Sequence, residues 1–267
     1  MDDAQGKELL DTAHEMADAA GTAILPFFRS PMLAEDNKLA GGYDPVTEAD
    51  RAAEQAMRAV LARRRPQDAI LGEEFGAKDG TSGLTWVLDP IDGTRGFVSG
   101  TPTWGVLIGL SDADGVRMGM IDQPYTQERF WGGFGEAQMR GPFGARALGT
   151  RQTARLSDAI LFTTFPEVGT PDERAAFQAV AGKVKLVRYG MDCYAYALIA
   201  AGQIDLVIES GLHSYDVQGP IGVIQGAGGI VTNWQGGPAH MGGQVIAASN
   251  AVLHAQALDI LAPMAKS

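Results

Sequence analysis

The sequence predicts a mixed fold in which an α+β half is followed by an α/β half. Three observations predict it. Two long amphipathic helices open the chain, short apolar runs separated by turn residues follow from about residue 69, and strand and helix patterns alternate from about residue 158. We expect the boundary between Gly144 and Ser157, and we divide the chain into domains 1–150 and 151–267.

The first half begins with two predicted helices. Apolar residues at helical spacing predict a helix over 4–28, and the glycine-containing residues 30–46 are expected to form a loop. A second helix is predicted from Thr47 to Arg65, with Thr47 as N-cap and Asp50 as the partner in a capping box.

Five short apolar runs then predict a mostly antiparallel sheet, flanked by the two early helices, with a hairpin at Asp114-Gly115. The predicted strands cover 69–72, 84–89, 106–110, 116–122 and 129–132.

The second half reads as strands that alternate with helices. Strands are predicted over 160–165, 186–189, 204–209, 230–233 and 245–249, and helices over 171–181, 193–201, 216–226 and 251–261.

Composition excludes several classes of protein. The chain has 267 residues, 45% of them apolar and 20% charged, which is typical of a globular protein. No apolar run approaches the ~20 residues that span a bilayer. The formal charge of −11 argues against nucleic acid or membrane lipid as the partner, since both require a basic face. The single Cys193 and the polar, acidic start predict a cytoplasmic protein.

The most informative segment runs from Trp86 to Thr94, with the sequence WVLDPIDGT. An apolar strand leads into Asp89 and Asp92, and carboxylates on a stiff turn suit a hard cation such as Mg²⁺. Gly93 and Thr94 begin a short helix whose N–H groups would face an anion. The alternative is an ordinary Asp-rich turn that caps a helix.

Three further segments attract attention, each with a plainer alternative. Glu73 and Glu74 follow an apolar run, where a solvated loop is the alternative to a ligand set. Asp216 would most simply be a helix N-cap. The run Gly226–Gly229 suggests a dinucleotide loop, but it ends a predicted helix, so that interpretation fails.

Taken together, four motifs resemble the inositol monophosphatase family of Mg²⁺-dependent phosphomonoesterases, in the family's order and approximate spacing over nearly the whole chain. They are DPVTEAD at 44–50, GEE at 72–74, DPIDGT at 89–94 and YD at 215–216. The resemblance implies a sugar-phosphatase-like αβαβα layered sandwich with two tightly packed halves. Tyr215 stands where the family often has Trp, and the segment Arg95-Gly96-Phe97 stands where many members carry Asn before the Phe.

The resemblance also implies residue roles. One Mg²⁺ would be bound by Glu73, Asp89 and the carbonyl of Ile91. A second would be bound by Asp89, Asp92 and Asp216, and Glu73 would also support a third. Thr94 and Asp50 would orient and deprotonate the attacking water, although Asp50 also has its capping role as an alternative. The backbone of Gly93 and Thr94 would cradle the phosphate, and displacement would proceed in line without a covalent intermediate.

Other segments resemble the histidinol-phosphate phosphatase branch of the family. They are YGMDCYAYAL at 189–198, IDLVIE at 204–209 and SGTPTWG at 99–105, with Met191 in place of a branch glycine. Asp192 and Glu209 would bind the ammonium and imidazole of the leaving group, since carboxylates pair with cations. A helix N-cap is the alternative for Asp192, and Cys193 is expected to be a packed residue.

These inferences leave several functions open. The primary prediction is histidinol-phosphate hydrolysis in histidine biosynthesis, by a homodimer acting on a small phosphorylated metabolite. Inositol 1-phosphate or a broad range of sugar phosphates is the alternative substrate class. A bisphosphatase should show additional cations in the pocket, for which Arg95 and Arg188 are candidates. A non-catalytic regulatory protein on the same fold is the alternative of another class.

Overall fold

The computed structural model describes residues 3–31, 35–37 and 45–266. Its seven α-helices are α1 (Asp3–Ile24), α2 (Glu48–Arg64), α3 (Thr94–Val98), α4 (Pro171–Ala181), α5 (Asp192–Ala200), α6 (Ser214–Gly226) and α7 (Ala251–Leu261).

The strands of the first half are β1 (Glu35–Asn37), β2 (Pro45–Thr47), β3 (Ala69–Gly72), β4 (Gly76–Lys78), β5 (Thr85–Asp92), β6 (Gly105–Asp112), β7 (Gly115–Gln123), β8 (Glu128–Gly133), β9 (Glu136–Gly141) and β10 (Gly144–Ala147). Those of the second half are β11 (Ile160–Thr163), β12 (Leu186–Tyr189), β13 (Leu206–Leu212), β14 (Ile230–Asn233) and β15 (Gly243–Ala248).

Two mixed sheets organise these elements. The larger sheet has the order β10-β9-β8-β7-β6-β5-β3-β4 and is antiparallel except where β3 pairs with β5. The smaller sheet has the order β12-β11-β13-β15-β14; β11 pairs in parallel with both neighbours, and β15 pairs antiparallel with both of its own. The predicted mostly antiparallel first sheet is therefore confirmed.

Helices cover both faces of each sheet, which gives five layers in the order αβαβα. On β6, Ile108 packs into the core beneath α1 and α2, whereas the neighbouring Leu107 points to the core that holds α5 and α6. On β13, Val207 faces that same middle core and Leu206 faces the core beneath α4 and α7. Because successive strand residues point to opposite faces, each sheet supplies two cores. The predicted layered sandwich is confirmed.

Helix α6 lies unusually close to the large sheet. A Cβ on Gly226 would lie 2.9 Å from the Cα of Gly132 on β8, and a Cβ on Gly119 of β7 would overlap the carbonyl of Gly219. Glycine is needed at these positions because helix and strand backbones touch. The glycines around 226–229 therefore serve packing, and the rejection of a dinucleotide loop there agrees with the α6-to-β14 connection.

Several predicted boundaries need correction. The first helix ends at Ile24 rather than at 28, since Pro26 lacks an N–H and restricts the residue before it. Residues 30–46 are not entirely loop, because β1 and β2 pair antiparallel; residues 32–34 and 38–44, including Gly41-Gly42 and Asp44, lie outside the described residues. The short strands β4, β9 and β10 are not predicted by the sequence, since they lack apolar runs and contain no buried residue.

The division at residue 150 stays a prediction. The described helices lack the uninterrupted apolar length that a lipid bilayer requires.

Candidate active site

A cavity of about 350 Å³ opens where several helices begin and strands end. It is lined by the end of β5, the first residues of α3, α5 and α6, the end of β13 and the loop that follows β11. All predicted site residues except Asp50 are among the described residues that line it. The fold therefore brings together motifs that are more than 100 residues apart.

Strand β5 presents two aspartates to the same cavity although they lie three positions apart in the sequence. In a regular strand, Asp89 and Asp92 would point to opposite faces. Here Asp89 pairs with Leu107 and Asp92 with Gly105, so β5 carries one extra residue, a β-bulge. The bulge reorients Asp92, and the Ile91 N–H donates a hydrogen bond to Asp89 Oδ1 at 3.0 Å.

Asp216 reaches this pair from the first turn of α6. Carboxylate oxygens of Asp89, Asp92 and Asp216 all lie within 4.8 Å of one another. The plainer interpretation of Asp216 as the N-cap is wrong, because His213 occupies that position. Asp216 instead accepts a hydrogen bond from the His213 N–H at 2.7 Å. Its carboxylate therefore caps the first turn of α6 and also belongs to the carboxylate cluster.

Glu73 is placed by a buried carboxylate that sequence reasoning missed. Glu54 on α2 is fully buried, accepts hydrogen bonds from the N–H groups of Glu74 and Phe75 at 2.7 and 3.2 Å, and pairs with Arg58 at 2.7 Å. The turn after β3 is thereby fixed around Glu73. The available signal was a Glu within the apolar face of a helix, among Ala49, Ala53, Met57 and Leu61.

Burial and mutual repulsion disfavour the charged forms of the carboxyl groups in this cluster. Burial, followed by the neighbouring charges of Glu73, Asp92 and Asp216, raises the pKa of Asp89 well above its usual range. Burial, followed by Asp216 and Asp192, does the same to the pKa of Asp92. Four carboxylates that line one cavity are a hard-oxygen donor set of the kind that binds divalent cations. The residues present therefore fit a metal centre.

The start of α3 lies beside the cluster. Gly93 is the N-cap of α3 with φ +83°, a conformation that favours glycine. The Thr94 hydroxyl donates a hydrogen bond to the Ile91 carbonyl at 3.0 Å.

Asp50 forms the predicted capping box. It accepts hydrogen bonds from the Thr47 N–H at 2.8 Å and the Thr47 hydroxyl at 2.6 Å. Burial raises its pKa to about 6. The structure therefore confirms the capping role, and a shared role with Thr94 stays a prediction.

Two further carboxylates line the cavity from the second half. Glu209 is buried and accepts hydrogen bonds from the Thr164 N–H and hydroxyl at 2.9 and 2.7 Å; burial raises its pKa to about 7. Asp192 accepts a hydrogen bond from the Thr103 hydroxyl at 3.3 Å, and burial raises its pKa to about 6. Asp192 is the first residue of α5, after the N-cap Met191, so it is not itself the N-cap. Cys193 is a buried, packed residue whose N–H donates to Asp92 at 2.6 Å.

Phosphatases are among the enzymes that use clustered divalent metal ions, and the carboxylates assembled here could hold such ions. The family model described as the inositol monophosphatase family matches residues 5–263, and the chain belongs to this family. It is a phosphoric monoester hydrolase, as the sequence predicted.

Similar proteins agree with this assignment. The chain is 40% identical over 257 residues to the chloroplastic bifunctional phosphatase IMPL2 of Arabidopsis thaliana, covering 92% of this chain and 72% of that protein. It is 35% identical to a histidinol-phosphatase of Streptomyces coelicolor, covering 94% and 96%. A solved inositol monophosphatase from Zymomonas mobilis superposes with a TM-score of 0.84 at 37% identity, covering 98% and 99%.

Proposed function

We propose that this phosphomonoesterase hydrolyses histidinol phosphate to histidinol and phosphate, with Mg²⁺ as its metal. The observation that carries the proposal is the charge of the cavity. Seven described lining residues are Asp or Glu, and Arg95 is the sole Lys or Arg among them. Four of the seven belong to the proposed metal set, which leaves Glu167, Asp192 and Glu209 for the rest of the substrate. Carboxylates that no metal would neutralise favour a cationic leaving group, and histidinol carries an ammonium and a titratable imidazole.

The residues that would hold Mg²⁺ are Glu73, Asp89, Asp92 and Asp216, together with the carbonyl of Ile91. We propose two ions, or three if Glu73 supports a further one. The chemistry that bound Mg²⁺ supplies is a lowered pKa of coordinated water and neutralisation of the phosphate oxygens.

The other steps are assigned to the chain's own groups. Thr94 and Asp50 orient the attacking water and take its proton. The N–H groups of Gly93 and Thr94 bind phosphate oxygens at the start of α3. Asp192 and Glu209 hold the leaving group, and the water attacks phosphorus directly with no covalent intermediate on the enzyme.

Inositol 1-phosphate or a range of sugar phosphates is the second candidate substrate class. The similarity to the Zymomonas structure favours it, and Glu209 can accept hydrogen bonds from polyol hydroxyls. A bisphosphate would need further cations, yet Arg188 is not among the described residues that line the cavity. A non-catalytic protein on this fold would not need the carboxylate cluster, which is assembled here.

The test compares phosphate release from histidinol phosphate, inositol 1-phosphate and fructose 1,6-bisphosphate, side by side with Mg²⁺. We expect the highest kcat/KM for histidinol phosphate. A higher value for either other substrate would overturn the assignment.

We propose a cytoplasmic homodimer that serves histidine biosynthesis. Analytical ultracentrifugation measures the oligomeric state. Expression in cells that lack histidinol-phosphatase should restore growth without histidine.

A further inference from the structure

An aromatic ring stands partly exposed in the cavity wall. Phe165 follows β11, lines the cavity, and is 46% exposed. Burial of a Phe side chain is favourable, so a half-exposed ring gains little for the stability of the fold. Of the other aromatic residues that line the cavity, Tyr196 is buried with its hydroxyl 3.5 Å from Glu209, and Tyr215 stacks on His213 with ring centroids 5.0 Å apart. Phe165 is therefore the most exposed of the described Phe and Tyr residues that line the cavity.

This ring already binds a planar cation. The guanidinium carbon of Arg95, on α3, lies 5.0 Å from the centroid of the Phe165 ring. Such a contact rests on attraction between the cation and the negative face of the ring. Arg95 and Phe165 lie on opposite halves of the chain, and both line the cavity.

The electrostatic surroundings favour a second planar cation. Glu167, two residues after Phe165, also lines the cavity and is exposed, and Asp192 and Glu209 line it as well. An imidazolium ring is flat and cationic like a guanidinium, so the negative face of the Phe165 ring attracts it in the same way. A polyol has no planar cation to place there.

We propose that Phe165 is a specificity-determining residue that stacks on the imidazole ring of the leaving group, using the ring surface that Arg95 leaves uncovered. This inference rests on the proposed function and adds to it the part of the site that distinguishes an aromatic leaving group from a polyol. The carboxylates pair with the positive charges of the leaving group, whereas Phe165 stacks on its planar ring.

In histidinol phosphate, several carbon atoms separate the imidazole ring from the phosphorus–oxygen bond that breaks. The stacking contact is therefore made equally in the ground state and in the transition state, and its loss raises KM more than it lowers kcat. A misplaced water or metal would instead lower kcat.

The experiment measures kcat and KM of the Mg²⁺-loaded enzyme for histidinol phosphate and inositol 1-phosphate in wild type, Phe165→Leu and Phe165→Trp. In Phe165→Leu we expect the kcat/KM ratio of histidinol phosphate to inositol 1-phosphate to fall about 3- to 30-fold, mainly through KM, the range that a cation–π contact supplies. Phe165→Trp should keep the ratio at or above its wild-type value, since Trp is the best cation–π partner. The control is Phe143→Leu, at a fully exposed ring outside the described cavity lining, which should not change the ratio.

A second measurement separates this inference from the proposed function. L-histidinol is tested as an inhibitor of inositol 1-phosphate hydrolysis, and its inhibition constant should rise by the same factor in Phe165→Leu. If wild type does not prefer histidinol phosphate, the proposed function fails, and weaker inhibition by histidinol in the variant still supports the stacking. An unchanged substrate ratio together with unchanged inhibition overturns the role of Phe165.

Discussion

The side chain of Asp192 occupies the space beside Gly93 so closely that a Cβ on Gly93 would lie 2.8 Å from both the Cβ and the Cγ of Asp192. The two residues are 99 positions apart, and Asp192 itself has φ +46°, in the left-handed region that is costly for a non-glycine residue. The start of α3 and the start of α5 are thereby held against each other at the cavity.

This contact predicts that a methyl group added at Gly93 lowers the free energy of unfolding. Gly93→Ala should lose about 1–3 kcal/mol more unfolding free energy than Gly83→Ala, because overpacking adds to the backbone strain. Gly83 is a matched control with the same φ of +83° and open space around it. Urea unfolding of both variants measures the difference. Equal losses would show that Asp192 moves aside without cost.

Removal of a carboxylate from the cluster should strongly reduce the activity. We expect Asp89→Asn to lower kcat by roughly 10²–10³-fold, the range for loss of one preorganised electrostatic group. The fold should survive, as circular dichroism would show. Asp158→Asn, at a half-exposed surface ion pair with Arg155, is the control and should retain activity. Full turnover of the wild type in excess EDTA would contradict the metal centre.

The metal-free protein should lose stability as the pH rises. The pKa of Glu209 is raised to about 7 and that of Asp50 to about 6, and those of Asp89 and Asp92 are also raised, with burial as the first cause. Above about pH 4 these carboxyl groups therefore bind more protons in the folded state than in the unfolded state, so the stability that they contribute is present below about pH 4 and is lost as the pH rises through 6 to 7.

Mg²⁺ should reverse that loss. At 100 times its Kd, a ligand adds about 2.7 kcal/mol, which is roughly 5–10 °C in Tm for a chain of this size. We expect most of this rise at pH 8 and little of it at pH 5.5, where protons compete with the ion. Thermal unfolding in EDTA and in Mg²⁺ at both pH values measures it. Equal shifts at both pH values would argue that the metal binds elsewhere.

Thr94 and Asp50 should act as one unit if both orient one water. Each of Thr94→Ala and Asp50→Asn should lower kcat by roughly 10²–10⁴-fold, the range for a positioned acid–base group. The double variant should then be little slower than either single variant, since groups that act together are not additive. Steady-state kinetics of the three variants decides the matter. Additive losses would mean that Asp50 only caps α2.

Asp192→Asn should reduce the preference for a cationic leaving group. A charge-assisted hydrogen bond contributes about 1.5–3 kcal/mol, so kcat/KM for histidinol phosphate should fall roughly 10- to 150-fold. Inositol 1-phosphate forms no such ion pair and should lose much less. The measurement is kcat/KM for both substrates in wild type and variant. An equal loss for both would make Asp192 a structural residue, consistent with its contact with Gly93.

The sequence by itself determined most of the local structure. Five elements have the predicted bounds, namely α4, α7, β3, β12 and β14. Their bounds are predictable because the spacing of apolar residues and the position of turn residues are properties of a few neighbouring positions. The order of the motifs indicates the family, and the same motifs contain the proposed metal carboxylates. The capping box at Thr47 and Asp50 is likewise a relation between residues three apart.

Only the tertiary structure decided the features that depend on contacts between distant residues. The bulge that turns Asp92 toward Asp89 is defined by pairing with β6, and the role of Glu54 depends on a turn about 20 residues further along the chain. The Arg95–Phe165 contact and the closeness of Gly93 and Asp192 join segments 70 and 99 residues apart. No local pattern encodes these pairs, because the free energy that selects them comes from packing of the whole chain rather than from the propensity of any one segment.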